Sequence, residues 1–227
     1  MADWRVKPFL QRKEAPKVDW QRVQDYLMQL SHHNDPVLSE MEEFARQTHF
    51  PIIDRAVGRC CYLLCRLARV RTVFEMGSGY GYSTAWFAMA VRDNGGGLVH
   101  HVVWDDDLSR KARDYLARMG LSPFVRFTVG EAIATLRSTP GHFGCIFVDI
   151  EKHDYPQAVA VAKERVAPGG LLLLDNMLFH GRIFDLSDHS HGAEGIRKAT
   201  QMIFSDPQWV ATLLPIRDGL VVAWKTL

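Results

Sequence analysis

Five short apolar segments alternate with helical segments after residue 70, and this alternation limits the possible folds more than any other feature of the chain. The predicted strands are RTVFEM, LVHHVVW, FVRFTV, GCIFVD and LLLLDN. The predicted helices between them are STAWFAMAV, SRKARDYLARM, EAIATLR and YPQAVAVAKERV. Strands that are apolar along nearly their whole length, separated by helices, are typical of a parallel sheet covered on both faces. We therefore expect an α/β fold.

The last part of the sequence breaks this alternation. The segments QWVATLL and LVVAWK have the composition of strands, and only a short turn containing Arg217-Asp218-Gly219 separates them. So short a connection joins antiparallel neighbours. The sequence therefore predicts a seven-stranded, mostly parallel sheet in which the last strand is antiparallel.

The N-terminal third of the chain has a helical pattern. Asp19 is placed to cap a first helix, Asp35-Pro36 begins a second, and Pro51 begins a third. At 227 residues the chain fits one domain. We expect a single domain over 1–227, with a helical region at 1–69, an α/β core at 70–227, and a basic stretch up to Lys17 that forms a solvated or loosely docked arm.

Charge and cysteine content exclude several classes of partner and location. The formal net charge is +1, with acidic and basic residues interspersed, so neither nucleic acid nor an anionic membrane is expected as the main partner. The sequence lacks a recognisable signal peptide and an apolar run long enough to span a bilayer. Cys60, Cys61, Cys65 and Cys145 lack the CxxC spacing of a thiolate metal site and are expected to be reduced thiols. These features favour a cytoplasmic protein.

A glycine-rich loop follows the first predicted strand, in the segment EMGSGYGYS at 75–83. The dinucleotide fingerprint GxGxxG requires a third glycine where this chain has Tyr82, and the Walker pattern is absent. An acidic residue directly before GxGxG is instead typical of class I methyltransferases. Their cofactor, S-adenosylmethionine, has no phosphate, so the loop must approach a ribose and a zwitterionic methionine. Glu75 could bind the amino group directly or through water.

Further cofactor contacts are predicted after the second and third strands. Asp105 is expected to bind the ribose hydroxyls, although Asp106 and Asp107 are alternatives within the same acidic run. Glu131 lies where the adenine is expected, but it could equally be a first-turn acidic residue favoured by the helix dipole. The predicted cofactor-binding residues are Glu75, Gly77, Ser78, Gly79, Tyr80, Ser83, Asp105, Glu131, Ala132 and Asp149.

Polar side chains end the fourth and fifth predicted strands. Asp149 ends one strand, and the pair Asp175-Asn176 ends the next. Carboxylates at the ends of buried strands are costly without a partner, and the carboxyl ends of parallel strands are where open sheets bind ligands. Three oxygen donors of mixed charge suit Mg²⁺, with Mn²⁺ or Ca²⁺ as alternatives. Caps of the following helices would be the purely structural interpretation.

Several segments resemble one family of enzymes. VDIEKHDYP is similar to VDADKxxYP, and LLLLDNMLFHGRI to xxxxDNxLxxGxV, of the cation-dependent O-methyltransferases, which include the caffeoyl-CoA and catechol enzymes. EMGSGYGYST, GEAIATL and PIRDGLVVAWK extend the resemblance from about Gln21 to the end. It implies a Rossmann-like class I methyltransferase fold, Asp149, Asp175 and Asn176 as metal ligands, Lys152 as general base, and a homodimer.

The resemblance predicts the reaction, whereas departures from it concern the acceptor. Methyl transfer to one hydroxyl of a small phenol with two neighbouring hydroxyls is expected, and Lys152 would accept the phenol's proton. Gly144, Ile150, Glu151 and His180 differ from the usual family residues, and none of them is a predicted metal ligand. Two alternatives stay open: an N-methyltransferase of the same fold, although its usual Asn/Asp-Pro-Pro-aromatic motif is absent, and a non-catalytic cofactor-binding protein.

Overall fold

A single seven-stranded sheet forms the centre of the protein. The computed structural model describes residues 19–227, so the predicted basic arm lies outside the described residues. The strands occur in the spatial order β3-β2-β1-β4-β5-β7-β6. Their bounds are β1 Thr72–Met76, β2 Leu98–Val103, β3 Val125–Val129, β4 Phe143–Val148, β5 Val166–Leu174, β6 Trp209–Leu214 and β7 Leu220–Lys225.

Eight α-helices surround this sheet in the described part of the chain. Their bounds are α1 Trp20–Leu30, α2 Pro36–Thr48, α3 Arg55–Leu67, α4 Tyr82–Asp93, α5 Asp106–Arg118, α6 Ala132–Ser138, α7 Tyr155–Arg165 and α8 His191–Phe204. The sequence pattern gave no residues for α8, which follows a short 3₁₀ segment over Phe179–Phe184.

The strand directions confirm the predicted Rossmann-like arrangement. Strands β1 to β5 are mutually parallel, and β7 is antiparallel to both β5 and β6. In the register, Met76 pairs with Val148, and Val148 pairs with Leu174. The residues that follow β1, β4 and β5 therefore emerge side by side at one edge of the sheet, where ligands of open α/β sheets bind.

The helices before β1 begin at aspartate caps. The Asp19 carboxylate accepts a hydrogen bond from Gln21 N, and Asp35 accepts from Val37 N and Leu38 N, both as predicted. The predicted start of the third helix at Pro51 is wrong. Helix α3 begins at Arg55, because Asp54 supplies the cap for Val57 N, and the segment before it is irregular.

The core lies on both faces of the sheet. Val73 packs with helices α2 to α4 on one face, whereas the next residue of β1, Phe74, packs with α6 to α8 on the other. Successive strand residues point to opposite faces, so a fully apolar strand is stabilised from both sides. Complete burial of a side chain such as Phe74 contributes roughly 1.5–3 kcal/mol.

The four cysteines are free thiols, as predicted. Three of them lie on α3 and Cys145 lies in β4, so they belong to the packed interior around the first core face. Across residues 19–227, none of the helices combines the length and the apolar character needed to cross a bilayer.

Candidate active site

A cavity of about 910 Å³ opens at the carboxyl ends of the parallel strands. It is large enough for a cofactor and a small acceptor together, since ligand cavities commonly measure about 300–1,000 Å³. Its walls come from the glycine loop, the segment before α3, the ends of β2 to β5, the segment before α8 and the β6–β7 turn. Residues from these elements include Ile52, Gly77, Ser83, Trp104, Glu131, Asp149, Lys152, Asn176, Phe179, Arg182 and Arg217.

The glycine loop approaches the neighbouring strand ends so closely that side chains are excluded. Gly77 has φ of +86°, and a Cβ there would lie 2.0 Å from the backbone oxygen of Asp149. Gly79, with φ of +49°, would place a Cβ 3.1 Å from Phe50. The loop is fixed to β2 because Ser78 N donates to Val102 O at 3.0 Å, and Ser78 Oγ accepts from Val102 N at 2.9 Å. Backbone groups therefore form this wall of the cavity.

Helix α4 begins directly after the loop with no side-chain cap. Its N-cap is Gly81, whose φ is +92°, and Ser83 in its first turn lines the cavity. The uncapped N–H groups of a helix start attract negative charge. This helix start is therefore suited to a negatively charged ligand group.

Glu75 lies beneath the loop and is completely buried. Its Oε2 accepts a hydrogen bond from Thr84 Oγ1 at 2.5 Å, whereas its Oε1 has no hydrogen-bond partner. Burial raises the pKa of Glu75 to about 7, although nearby hydroxyl groups act in the opposite direction. A buried carboxylate with a free oxygen is destabilising by itself and would be relieved by a cationic ligand group. Glu75 does not line the cavity directly, so a water-mediated contact suits this geometry.

Two of the other predicted acidic contacts, Asp105 and Glu131, cap helices. Asp105 Oδ1 accepts from Leu108 N at 2.8 Å at the start of α5, and Asp105 is not part of the cavity wall. Both oxygens of Glu131 accept backbone N–H groups, from Ile133 at 2.7 Å and Ala134 at 2.6 Å. Glu131 therefore caps helix α6, and it also lines the cavity. Their roles toward a cofactor stay predictions.

Tyr80 contributes its backbone to the loop rather than its side chain to the ligand space. Its ring is buried between Phe44 and Phe50, with centroid distances of 5.1 and 5.2 Å, and its hydroxyl donates to Met41 O at 2.8 Å. The neighbouring Tyr82 hydroxyl donates to a glutamate of α2 at 2.6 Å. Helix α2 therefore stabilises the glycine loop from outside.

Lys152 and Asp149 form an ion pair at the end of β4. Lys152 Nζ lies 3.0 Å from Asp149 Oδ1 and also donates to Ile150 O at 3.1 Å and to the Tyr155 hydroxyl at 3.0 Å. The Tyr155 hydroxyl in turn donates to Asp175 O at 2.9 Å. All three ammonium hydrogens thus have acceptors, which is the arrangement of a protonated lysine.

Asp175, at the end of β5, is fully buried and paired with a guanidinium. Arg217 Nη1 lies 3.0 Å from Asp175 Oδ2, whereas Asp175 Oδ1 is buried without a hydrogen-bond partner. Burial raises the pKa of Asp175, the charge of Asp149 adds to the rise, and Arg217 and Lys152 oppose it. The orphaned oxygen would gain from a cationic or hydrogen-bonding partner.

The three predicted metal ligands occupy neighbouring positions, and their donor chemistry fits a hard divalent cation. Asp149 and Asn176 line the cavity, and Asp175 lies immediately behind Asn176, which has φ of +56°. The free Asp175 Oδ1 is an unused oxygen donor of this set. No group of three or more His, Cys, Asp or Glu side chains suited to a metal occurs among residues 19–227, and the predicted set has only two acids beside its amide. The cation stays a prediction.

The structure brings ten of the predicted site residues to one cavity and leaves three behind its wall. Those on the wall are Gly77, Ser78, Gly79, Tyr80, Ser83, Glu131, Ala132, Asp149, Lys152 and Asn176. Those behind it are Glu75, Asp105 and Asp175. The sequence interpretation missed Arg217, Phe179 and Arg182, and it treats the turn containing Arg217 only as a connection between two strands. Of the histidines between β5 and α8 and at the start of α8, His180 lines the cavity, whereas His189 and His191 do not.

Comparison with known proteins identifies relatives of one kind. A family model described as O-methyltransferase matches residues 28–226. The catechol O-methyltransferase of Niastella koreensis is 26% identical over 215 residues, which cover 90% of this chain and 96% of that protein. The O-methyltransferase TomG of Streptomyces achromogenes, involved in tomaymycin synthesis and solved in complex with SAM, is 26% identical with a TM-score of 0.81, covering 91% of this chain and 96% of TomG. A Bacillus cereus O-methyltransferase solved with SAH shares the fold at 24% identity, a TM-score of 0.81, and coverage of 90% and 97%.

Proposed function

This chain belongs to the O-methyltransferase family, and from that membership we propose that it methylates one hydroxyl of a small phenol carrying two neighbouring hydroxyls, with a divalent cation beside the acceptor. The enzyme depends on S-adenosylmethionine, as do class I O-methyltransferases. Family membership also argues against the N-methyltransferase and the non-catalytic alternatives. The catechol O-methyltransferase of Niastella koreensis, similar over most of both chains, supports a catechol-type acceptor.

One observation carries the proposal: Asp149, Lys152 and Asn176 line the same cavity as the glycine loop, and Asp175 lies immediately behind Asn176 with its Oδ1 unpaired. A methyl donor bound on the loop and an acceptor bound on the donors would therefore meet within one enclosed space. Holding two reactants in line removes much of the entropic barrier to their reaction.

The donor's methionine part is assigned to the glycine loop. Gly77 and Gly79 permit close backbone approach, the start of α4 offers free N–H groups to the carboxylate, and Glu75 offers a negative charge to the amino group. The predicted ribose and adenine contacts, Asp105 and Glu131, belong to the same proposal.

The acceptor is activated by removal of one phenolic proton. The pKa of a phenol is near 10, so it is mostly protonated at neutral pH. Asp149, Asp175 and Asn176 would hold a divalent cation, which when bound lowers the pKa of a coordinated phenol and fixes its position. Lys152 would take the proton after losing its own to solvent and breaking one of its three contacts. The phenolate oxygen then forms a bond to the methyl carbon as the bond from that carbon to the sulfonium sulfur breaks.

A homodimer and a cytoplasmic location complete the proposal. Both rest on the resemblance and on the sequence features described above.

The test compares caffeic acid with its monohydroxy analogue in the presence and absence of Mg²⁺. We expect the diol to be methylated much faster, because a monophenol offers one oxygen fewer to the acceptor site. Chelation by EDTA should stop turnover, and Mg²⁺ or Mn²⁺ should restore it, while affinity for S-adenosylhomocysteine persists. Equal rates for the two phenols, or full activity of the chelated enzyme, would show that the proposal is wrong.

A further inference from the structure

Arg217 occupies an unusual backbone conformation in the turn between β6 and β7. Its φ of +51° lies in the left-handed region that side chains other than glycine rarely adopt. The conformation is stabilised from outside the turn, because Arg217 N donates to Gln24 Oε1 of α1 at 2.8 Å. The result is a guanidinium directed to a carboxylate 42 residues earlier in the chain.

The turn is also fixed to the segment that follows β5. Leu178 N donates to Asp218 O at 2.8 Å, Met177 N donates to Gly219 O at 2.9 Å, and His180 N donates to Asp218 Oδ1 at 2.6 Å. The base of the Arg217 side chain is therefore held in place, while the side chain itself is 30% exposed on the cavity wall. Its guanidinium can leave Asp175 without any change in the backbone.

The two carboxylates of the site are each neutralised by a cation of the chain itself. Lys152 lies 3.0 Å from Asp149, and Arg217 lies 3.0 Å from Asp175, which has no exposed surface. The formal charges of these four groups cancel. Arg217 therefore provides for Asp175 the positive charge that a divalent cation would otherwise provide.

We propose that Arg217 is an internal competitor of the divalent cation for Asp175, so that cation binding requires the guanidinium to leave Asp175 Oδ2. This inference rests on the proposed function. It implies that the divalent cation of that function is weakly bound and exchangeable. A charge-assisted hydrogen bond must be broken for the cation to bind, so Arg217 lowers the apparent affinity about tenfold to hundredfold. Asp175 Oδ1 has no partner while Arg217 holds the other oxygen, but it is buried, so the ion can reach this carboxylate only after the guanidinium moves aside.

The experiment measures Mn²⁺ binding to the full chain by the electron paramagnetic resonance signal of free Mn²⁺. Arg217→Gly should bind Mn²⁺ about tenfold to hundredfold more tightly than wild type, and glycine suits the local φ. Arg69→Gly is the matched control, because Arg69 is exposed and has the same φ of +51°. Arg69 precedes β1 and therefore lies at the amino end of the parallel strands, away from the cavity at their carboxyl ends. The Arg69→Gly variant should bind Mn²⁺ as wild type does.

Two further variants keep the test decisive. Arg217→Met retains the stem and removes only the guanidinium, so it replaces the glycine variant if that variant does not fold. Asp175→Asn, added to Arg217→Gly, should abolish the gain in affinity if the ion binds at this site. Equal or weaker Mn²⁺ binding by both Arg217 variants would overturn the inference. If Mn²⁺ binding is unchanged in both variants but methylation of the diol depends on the metal, the proposed function stays intact and only the inference fails. Tighter Mn²⁺ binding by the Arg217 variants without any turnover would refute the function and support the inference.

Discussion

Replacing Glu75 with glutamine removes a buried charge without changing the shape of the side chain. Glu75 is completely buried, one of its oxygens has no partner, and burial raises its pKa from 4.5 to about 7. For an acid, a raised pKa in the folded state means that the charged form opposes folding. The cost is absent below about pH 4.5, grows between pH 4.5 and pH 7, and is complete above pH 7.

The size of this cost follows from the shift. The pKa values of the folded and unfolded states differ by about 2.5, and each pKa unit corresponds to roughly 1.4 kcal/mol. The cost of the charged form is therefore about 3 kcal/mol at pH 8 and less than about 1 kcal/mol at pH 5. Glutamine cannot ionise, so the unfolding free energy of the Glu75→Gln variant relative to wild type should rise by about 2–3 kcal/mol between these pH values. Any steric cost of the amide is the same at both and cancels in this comparison.

Urea unfolding of the apoprotein at pH 5 and pH 8 measures the effect. Glu164→Gln, an exposed change of the same chemistry on α7, is the control and should show no such difference. Calorimetry at pH 8 should show the opposite consequence for Glu75→Gln, a marked loss of affinity for S-adenosylhomocysteine, because the amino group loses its counter-charge. A pH-independent stability difference, or unchanged affinity, would refute the reasoning.

Two other variants test the remaining roles. Gly79→Val should abolish binding of S-adenosylhomocysteine in calorimetry, because the position has a positive φ and little space beside Phe50. The control Gly120→Val, at φ of +68° in open space, should bind normally. Unchanged affinity in Gly79→Val would exclude the loop as the binding site. Lys152→Ala should lower the maximal rate about a hundredfold to ten-thousandfold, with cofactor affinity retained and partial recovery of the rate at high pH. The control Lys163→Ala, which removes an ion pair with Asp206 away from the cavity, should keep the wild-type rate. A wild-type rate in Lys152→Ala across the pH range would contradict the role of Lys152 as base.

Local patterns were sufficient to predict the sheet and part of the cavity wall. The apolar strands and their helices determine a parallel sheet, and parallel strands place Asp149 and Asp175 at one edge. The glycine loop was also predictable from the sequence, because positions such as Gly77, which have no space for a Cβ, require glycine. These features depend on residues close together in the sequence and on the general geometry of parallel sheets.

The contacts that were missed depend on the tertiary structure. The pairing of Arg217 with Asp175 requires a left-handed turn that a residue of α1 stabilises from 193 positions away. The start of α3 was misplaced because the proline signal at Pro51 competes with an aspartate cap at Asp54, and the cap determines the helix start. At Glu131 a pattern could not separate a cap from a ligand contact, since both require an acidic residue at a helix start.

The position of β7 between β5 and β6 affects how the protein can fold during synthesis. Both neighbours of β7 precede it in the chain, and β6 pairs with no other strand in the described sheet. Until the ribosome has released β7, β5 therefore has an open edge and β6 has no partner. The pairing of β5 with β7 joins residues far apart in the chain, such as Leu174 and Val221, and pairings of this kind form late. Open edges also invite pairing with other chains. The turn carrying Arg217 connects β6 to β7, so the acceptor site can be complete only after β7 has been synthesised, whereas the glycine loop follows β1, the first described strand.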